Sequence, residues 1–124
     1  MKPRIAVVED NPDNRMLVEA ILEDRYDIVE YETGIQAVEE LEEADPDLVL
    51  LDISLPEMDG TEVLAWIRGQ ESLTDLPVIA LTAHAMAGDR EKFLSLGFDD
   101  YLMKPIVDET VLIGAIERCL NKIS

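Results

Sequence analysis

The 124-residue chain is poor in basic residues, and this shortage excludes several kinds of partner. Its 10 lysines and arginines stand against 28 acidic residues, which gives a formal net charge of −18. Such a charge repels DNA, RNA and anionic membrane surfaces, so we expect no direct nucleic-acid partner. The acidity is interpreted mainly as a solvated surface that keeps the protein soluble. A surface for a basic partner, or adaptation to a salty cytoplasm, would produce the same balance.

The chain also lacks a membrane span, a secretory signal and a second cysteine. No apolar stretch approaches the roughly 18 residues that a transmembrane helix needs. The short apolar run after Arg4 is not the longer apolar region of a signal peptide. Cys119 is the one cysteine, so no internal disulfide can form, which agrees with a reducing compartment. We therefore expect a soluble, cytoplasmic protein with no membrane partner.

What the chain does contain is a regular alternation of short apolar runs with longer segments of helical period. This alternation is typical of βαβ units. No repeat, low-complexity segment or linker interrupts it, and the length suits one domain over residues 1–124. With right-handed crossovers, five strands and five helices predict an α/β fold. The expected architecture is a (βα)5 doubly wound three-layer sandwich around a parallel sheet.

The first and fifth helices have apolar faces that can be read from the sequence. The first is predicted to begin at Asn11-Pro12, an N-cap followed by proline, and to run to about Glu23. Its residues expected to face the sheet are Met16, Leu17, Ala20 and Ile21. The fifth helix is predicted over about 108–122.

The apolar residues of the fifth helix cover more than the ~100° stripe of a surface helix, so some should be exposed. Exposed members would form either a docking or dimerisation patch or isolated surface positions. The residues are Val111, Leu112, Ile113, Ala115, Ile116, Cys119, Leu120 and Ile123.

Side chains that can carry chemistry follow four of the predicted strands. Asp52 ends the apolar run 48–51 and is expected on the central strand. Similar positions, each directly after an apolar run, are held by Glu9 and Asp10, by Thr82 and by Lys104. Because the carboxyl ends of parallel strands meet at one edge of a sheet, we expect these side chains to converge there.

Three carboxylates within a few ångströms repel one another unless a cation lies among them. Hard oxygen ligands with open coordination positions suit Mg²⁺, which also accepts phosphate oxygens. Asp52 is the best candidate for a nucleophile toward a phosphoryl group, with Lys104 neutralising charge and Thr82 donating a hydrogen bond. The alternative is that each carboxylate merely caps a helix, as Asp10 alone could do. Five such positions at one edge make that alternative much weaker.

At this point the sequence resembles the response-regulator receiver domains of two-component signalling. The matching motifs are Val7-Val8-Glu9-Asp10-Asn11, Asp52-Ile53-Ser54-Leu55-Pro56-Glu57-Met58-Asp59-Gly60, Leu81-Thr82-Ala83 and Asp100-Tyr101-Leu102-Met103-Lys104-Pro105. Together they are highly specific and span essentially the whole chain. The resemblance implies a flavodoxin-like strand order of 2-1-3-4-5.

For the site, the resemblance implies that Asp52 accepts a phosphoryl group from a phosphohistidine on a sensor histidine kinase or histidine phosphotransfer protein. It implies that Asp10 binds Mg²⁺ directly, that Glu9 helps through water, and that the backbone carbonyl of Ser54 is a further ligand. Lys104 would contact the phosphoryl group, and the Lys104-Pro105 bond would be cis. Glu9 stands where many members have aspartate.

The resemblance also assigns a switch and two residues that set its lifetime. Phosphorylation would draw Thr82 inward and let Tyr101 turn into the space, changing the face formed by the fourth helix, fifth strand and fifth helix. Ser54 and His84 occupy the positions that tune how fast water removes the phosphoryl group. A downstream protein target or a second copy of the chain would read the changed face.

Two other functions are weighed against a signalling switch that catalyses only its own phosphorylation and slow autodephosphorylation. An aspartate-nucleophile phosphatase would need a general acid beside the nucleophile, a role for which Ser54 is poorly suited. A binding module that never handles phosphate would be expected to lack part of the constellation, which is complete here. Whether the chain acts alone or belongs to a hybrid kinase or longer regulator stays open, although its ends favour a stand-alone protein.

Overall fold

The computed structural model describes residues 2–83, 88–104, 106 and 108–121. The strands are β1 (Arg4–Val8), β2 (Asp27–Tyr31), β3 (Leu48–Asp52), β4 (Val78–Thr82) and β5 (Asp100–Met103). The helices are α1 (Pro12–Leu22), α2 (Gly34–Ala44), α3 (Gly60–Gly69), α4 (Asp89–Leu96) and α5 (Glu109–Asn121).

All strand pairs are parallel, and the sheet order is β2-β1-β3-β4-β5. This confirms the predicted doubly wound fold and its strand order. β3 lies at the centre and is buried along its whole length, as expected of a strand covered on both faces. The register pairs Val8 with Leu51 and Asp52 with Leu81, so β1, β3 and β4 end side by side at the same edge.

Helices cover both faces of the sheet. On one face α2, α3 and α4 pack over one set of strand residues, among them Val49 and Leu51. On the other face α1 and α5 pack over the alternate set, among them Leu48 and Leu50. Successive residues of a strand point to opposite faces, so one apolar run supplies both halves of the core. Among the described residues, no helix has the length and apolar character needed to cross a membrane.

The predicted inward face of α1 was displaced by about one residue: Ile21 packs against the core as predicted, and Leu17 is half-buried. Met16 is 69% exposed and Ala20 is exposed, whereas Val18 and Leu22 are buried. The helix begins where the sequence predicts, with the Asn11 side chain accepting hydrogen bonds from the backbone N–H groups of residues 13 and 14, so the error lies in the apolar pattern and not in the cap. The outward side of α1 therefore carries apolar residues.

Most of the apolar residues of α5 are buried or partly buried. Leu112, Ala115, Ile116 and Cys119 are buried, and Ile113 and Leu120 are partly buried against the same core. Val111 is 51% exposed, so the prediction that some members would be exposed is confirmed for this position. Ile123 and Lys122 lie outside the described residues.

Helix α3 begins very close to the end of β3, and a glycine makes this approach possible. Gly60 donates its backbone N–H to the Ile53 carbonyl at 3.0 Å. A Cβ at this position would lie 2.8 Å from the Ile53 Cα and would also clash with the Asp52 carbonyl oxygen. Asp59 caps the same helix by accepting the Glu62 N–H at 3.0 Å. The backbone after Asp52 is thus held between sheet and helix.

We expect Gly60→Ala to destabilise the protein by about 1–3 kcal/mol, the usual cost of overpacking a filled site. The displaced atoms would be backbone atoms of residues 52 and 53, which cannot rotate away as a side chain can. Urea unfolding measures the change. Gly69→Ala, in the same helix with open space around the new methyl group, is the matched control and should be neutral or stabilising. Equal stability of the two variants would contradict the argument.

Candidate functional site

Three carboxylates meet at the carboxyl edge of the sheet. One oxygen from each of Glu9, Asp10 and Asp52 lies within 4.8 Å of the other two. Glu9 and Asp52 are each only 1% exposed, whereas Asp10 is exposed. The predicted convergence of these residues is therefore present in the structure, with two acids buried and one facing solvent.

Lys104, directly after β5, contacts two of the three carboxylates. Its Nζ lies 3.0 Å from Asp52 Oδ2 and 3.1 Å from Glu9 Oε2. The longer side chain of glutamate gives Glu9 the reach for this ion pair. One ammonium cannot balance three carboxylates, so a formal negative charge remains in the cluster.

The position of Glu9 is fixed by both its backbone and its side chain. Its N–H donates to the Tyr31 carbonyl at 3.1 Å, which extends the β1–β2 pairing beyond the strand. The Glu9 carboxylate accepts the Asn11 backbone N–H at 3.2 Å and lies 3.5 Å from Asn14 Nδ2. These bonds partly compensate for the loss of water around a buried charge.

Asp52 is held in an asymmetric manner. Its Oδ1 accepts the Ser54 backbone N–H at 3.0 Å, and its Oδ2 faces Lys104. The Ser54 side chain is exposed. Further along the same loop, Glu57 has a φ of +65° and the Met58 N–H donates to the Pro56 carbonyl at 2.7 Å, which forms a tight, strained γ-turn.

Electrostatics at the site are dominated by burial. Desolvation raises the pKa of Glu9, and the charge of Asp52 raises it further; the bonds from Lys104 and Asn11 only partly offset these effects. Burial by itself lowers the pKa of Lys104. The hydrogen bonds and charges of Asp52 and Glu9 outweigh that effect, so the Lys104 pKa is raised above its ordinary value. Lys104 therefore stays charged at neutral pH.

The cluster opens into a cleft of about 470 Å³. The residues that line it are Glu9, Asp10, Asn11, Asn14, Asp52, Ser54, Ala83 and Lys104. Three of these, Asn11, Asn14 and Ala83, had been given no role in the site. Asn14 lies in the first turn of α1, about one helical turn after Asn11, which itself follows Glu9 and Asp10. Residues three apart on a helix lie on the same side, so this spacing could have predicted that Asn14 lines the cleft.

The other predicted residues lie at different distances from the cleft. Thr82 is buried at the end of β4, where its carbonyl accepts the Lys104 N–H at 2.8 Å. Tyr101 does not line the cleft. It is half-buried and packs against Phe93 of α4 with ring centroids 5.8 Å apart. His84 and Pro105 lie outside the described residues.

The donor set suits Mg²⁺. All three side chains offer carboxylate oxygens, the hard ligands that this ion prefers, and the exposure of Asp10 leaves room for water on the metal. A divalent cation would also remove the like-charge repulsion that Lys104 only partly relieves. The cluster could therefore hold a magnesium ion through Asp10 and Asp52, with Glu9 beside it.

Fold and site together define a doubly wound α/β domain with an acidic, metal-compatible cleft at the carboxyl edge of its sheet. Residues 5–117 match the family model described as the response regulator receiver domain. The chain belongs to this family of two-component signalling, which confirms the resemblance seen in the sequence.

Relatives include both single-domain regulators and kinases. The polar-differentiation response regulator DivK of Brucella ovis is 40% identical over 107 residues, which span 86% of this chain and 87% of DivK. The sensor protein GacS of Pseudomonas syringae pv. syringae is 44% identical over 108 residues, 84% of this chain. The chain spans only 12% of the length of GacS.

Among solved structures, the receiver domain of the sensor histidine kinase PA1611 from Pseudomonas aeruginosa PAO1 is similar throughout. It is 39% identical, superposes with a TM-score of 0.87, and the match covers 98% of this chain and 99% of that domain. That structure has a magnesium ion coordinated in its active-site cleft.

The raised pKa of Glu9 predicts how the stability of the metal-free protein varies with pH. A carboxyl group whose pKa is higher in the folded state binds protons preferentially there, so stability falls as pH rises from the ordinary glutamate pKa through the raised one. Glu9→Gln removes this pH-dependent loss of stability, because glutamine does not titrate. In urea unfolding with a chelator present, the variant should gain stability relative to wild type as pH rises through that window.

The control for this pH series is Glu91→Gln, which changes an exposed glutamate of α4. Its stability difference from wild type should stay level across the same pH range, because an exposed side chain is solvated in both states. A level difference for Glu9→Gln as well would contradict the inferred effect of burial.

Proposed function

We propose that this chain is a signalling switch in which Asp52 accepts a phosphoryl group from a phosphohistidine. The observation that carries the proposal is the placement of Lys104 Nζ, 3.0 Å from Asp52 Oδ2, beside three carboxylates whose oxygens lie within 4.8 Å. This arrangement provides a nucleophile, a cation and ligands for a metal at one point. Residues 1–124 would act together as one receiver domain.

Mg²⁺ would be held by the carboxylates of Asp10 and Asp52 and the backbone carbonyl of Ser54, with Glu9 contacting it through water. When bound, the ion supplies positive charge to the phosphoryl oxygens and orients them. The magnesium in the PA1611 receiver domain supports this assignment.

The transfer step needs little from the protein beyond position and charge. An Asp52 carboxylate oxygen forms a bond to phosphorus while the bond from phosphorus to the imidazole nitrogen breaks. The electron pair of the breaking bond returns to that nitrogen. Lys104 neutralises charge on the phosphoryl oxygens, for which it must turn from Glu9 toward the new group.

Thr82 and Tyr101 would convert phosphorylation into a change of shape. The Thr82 hydroxyl donates to a phosphoryl oxygen, and Tyr101 then turns inward. Because the Tyr101 ring packs on Phe93, its movement changes the support of α4. The positions of Ser54 and His84 would set how fast water removes the phosphoryl group, a slow autodephosphorylation that is the chain's own second reaction.

Partners of the proposed switch are proteins. A sensor histidine kinase or histidine phosphotransfer protein would supply the phosphoryl group in the cytoplasm. A downstream protein or a second copy would bind the face of α4, β5 and α5, whose elements each expose at least one large apolar side chain. These side chains are Leu94, Leu96, Met103 and Val111. The net charge of −18 argues against direct nucleic-acid binding.

Incubation with Mg²⁺ and a small acyl phosphate tests the chemistry directly. Intact mass should show one added phosphoryl group on the wild-type chain, none on Asp52→Asn, and none when the metal is chelated. Asp75→Asn, which alters an exposed aspartate remote from the cleft, is the matched control and should be phosphorylated normally. A wild-type chain that folds and binds Mg²⁺ yet gains no mass would favour a phosphorylation-independent binding module.

The α4-β5-α5 face can be tested through Val111, which is more exposed than Ile113. If two copies associate through this face after phosphorylation, Val111→Glu should weaken association about tenfold or more, because it places a charge in an apolar contact. Sedimentation of the phosphorylated chain measures this. Ile35→Glu, at an exposed position of α2, should have no effect. A phosphorylated chain that stays monomeric would exclude the second copy and leave a downstream protein as the proposed partner.

A further inference from the structure

Arg15 of α1 is a mostly buried cation to which neither the motifs nor the proposed chemistry assigns a role. Its side chain is only 14% exposed. Its Nη1 donates to the backbone carbonyl oxygen of Glu9 at 2.8 Å. Its Nη2 lies 3.5 Å from Glu32 Oε1, but Glu32 is 72% exposed and such a pair contributes little. The Arg15 charge also acts on Glu30, whose pKa it lowers against the larger effects of burial and Glu19, but the bond to the Glu9 carbonyl is the short hydrogen bond that its side chain makes among the described residues.

That carbonyl belongs to the peptide group that joins Glu9 to Asp10. Because a peptide group is planar, a bond that fixes its oxygen also fixes the direction in which the chain enters Asp10. The N–H of Glu9 donates to the Tyr31 carbonyl at 3.1 Å on the preceding side. Both backbone groups of Glu9 are thus anchored, and Arg15 supplies the anchor next to Asp10.

Asp10 depends on this anchor more than the other two acids do. Glu9 and Asp52 are held through their carboxylates, by Lys104 in both cases. The exposed Asp10 carboxylate makes no hydrogen bond or ion pair with any other residue in the described ranges. Its direction is therefore set by its own backbone, which the Arg15 guanidinium orients.

We propose that Arg15 is a positioning residue for the metal site: by holding the Glu9–Asp10 peptide, it keeps the Asp10 carboxylate directed at the point where Mg²⁺ binds. The inference rests on the proposed function, since it assumes that Asp10 is a magnesium ligand. It assigns no contact between Arg15 and the metal or the phosphoryl group.

Because Arg15 is positively charged, an effect of its charge and an effect of positioning would change the Kd for Mg²⁺ in opposite directions. A nearby cation repels Mg²⁺, so an effect of charge alone would make binding tighter when Arg15 is replaced by a neutral residue. Loss of positioning has the opposite effect, because Asp10 would then sample directions that do not reach the ion. The two explanations are separated by whether the Kd for Mg²⁺ falls or rises.

The experiment is a calorimetric titration of the metal-free chain with Mg²⁺. Arg15→Met retains the length and apolar stem of the side chain and should raise the Kd about tenfold, the lower end of what loss of an outer-shell partner costs. Arg15→Lys retains the charge and one possible donor and should give a smaller rise. In phosphorylation by acyl phosphate, the half-saturating Mg²⁺ concentration should rise in parallel while the rate at saturating Mg²⁺ changes little.

Two matched variants control for charge and for the second contact of Arg15. Arg25→Met removes the same charge from an exposed position that does not line the cleft. Glu32→Gln removes the ion pair but retains the bond to the Glu9 carbonyl. Both should bind Mg²⁺ with the wild-type Kd. Thermal unfolding without metal establishes that each variant is folded at the titration temperature.

An Arg15→Met chain that is folded and binds Mg²⁺ as tightly as wild type, or more tightly, would overturn the inference while leaving the proposed function intact. If Arg15→Met does not fold, Arg15→Lys decides in its place, and an unchanged Kd would overturn the inference. A wild-type chain that binds no Mg²⁺ would overturn both.

Discussion

Like-charge repulsion at the carboxyl edge of the sheet is the constraint on which the rest of the structure depends. Glu9, Asp10 and Asp52 place carboxylate oxygens within 4.8 Å of one another, and two of these acids are almost fully buried. Such a cluster is unfavourable by itself. It persists because Lys104 lies between two of the acids, and because backbone N–H groups donate to the carboxylates of Glu9 and Asp52. The unbalanced charge that remains favours the binding of a cation.

The fold supplies the rigidity that this repulsion requires. β3 is buried on both faces, so its end cannot move without disturbing both halves of the core. Gly60 brings α3 against the backbone that follows Asp52, and the γ-turn at Glu57 closes the intervening loop. Strain of this kind concentrates at functional sites, where the surrounding packing can maintain it. The apolar core therefore stabilises an arrangement of charges that would separate in a flexible chain.

The proposed signalling would rest on the same balance of forces. Lys104 is shared by Glu9 and Asp52, so a phosphoryl group on Asp52 would compete with Glu9 for this cation. Of the residues proposed to move, Thr82 ends β4 and Tyr101 lies within β5, where its ring contacts Phe93 of α4. Under the proposed function, a change of charge in the cleft would reach α4 through the contact between Tyr101 and Phe93.

Much of this protein was determined by its sequence alone. Alternating apolar runs and helical segments predicted the parallel doubly wound sheet, because right-handed crossovers leave few topologies, and the resemblance to receiver domains implied the strand order. The positions of Glu9, Asp10, Asp52 and Lys104 directly after apolar runs predicted that they would meet, since parallel strands end at one edge. Other features were decided only by tertiary structure. One is the inward face of α1: its cap was predicted correctly, but packing against the sheet buries Val18 and Leu22 and leaves Met16 exposed. The bond from Arg15 to the Glu9 carbonyl could not be predicted either. Every residue has a backbone carbonyl, so the sequence does not indicate which one a side chain will contact after folding.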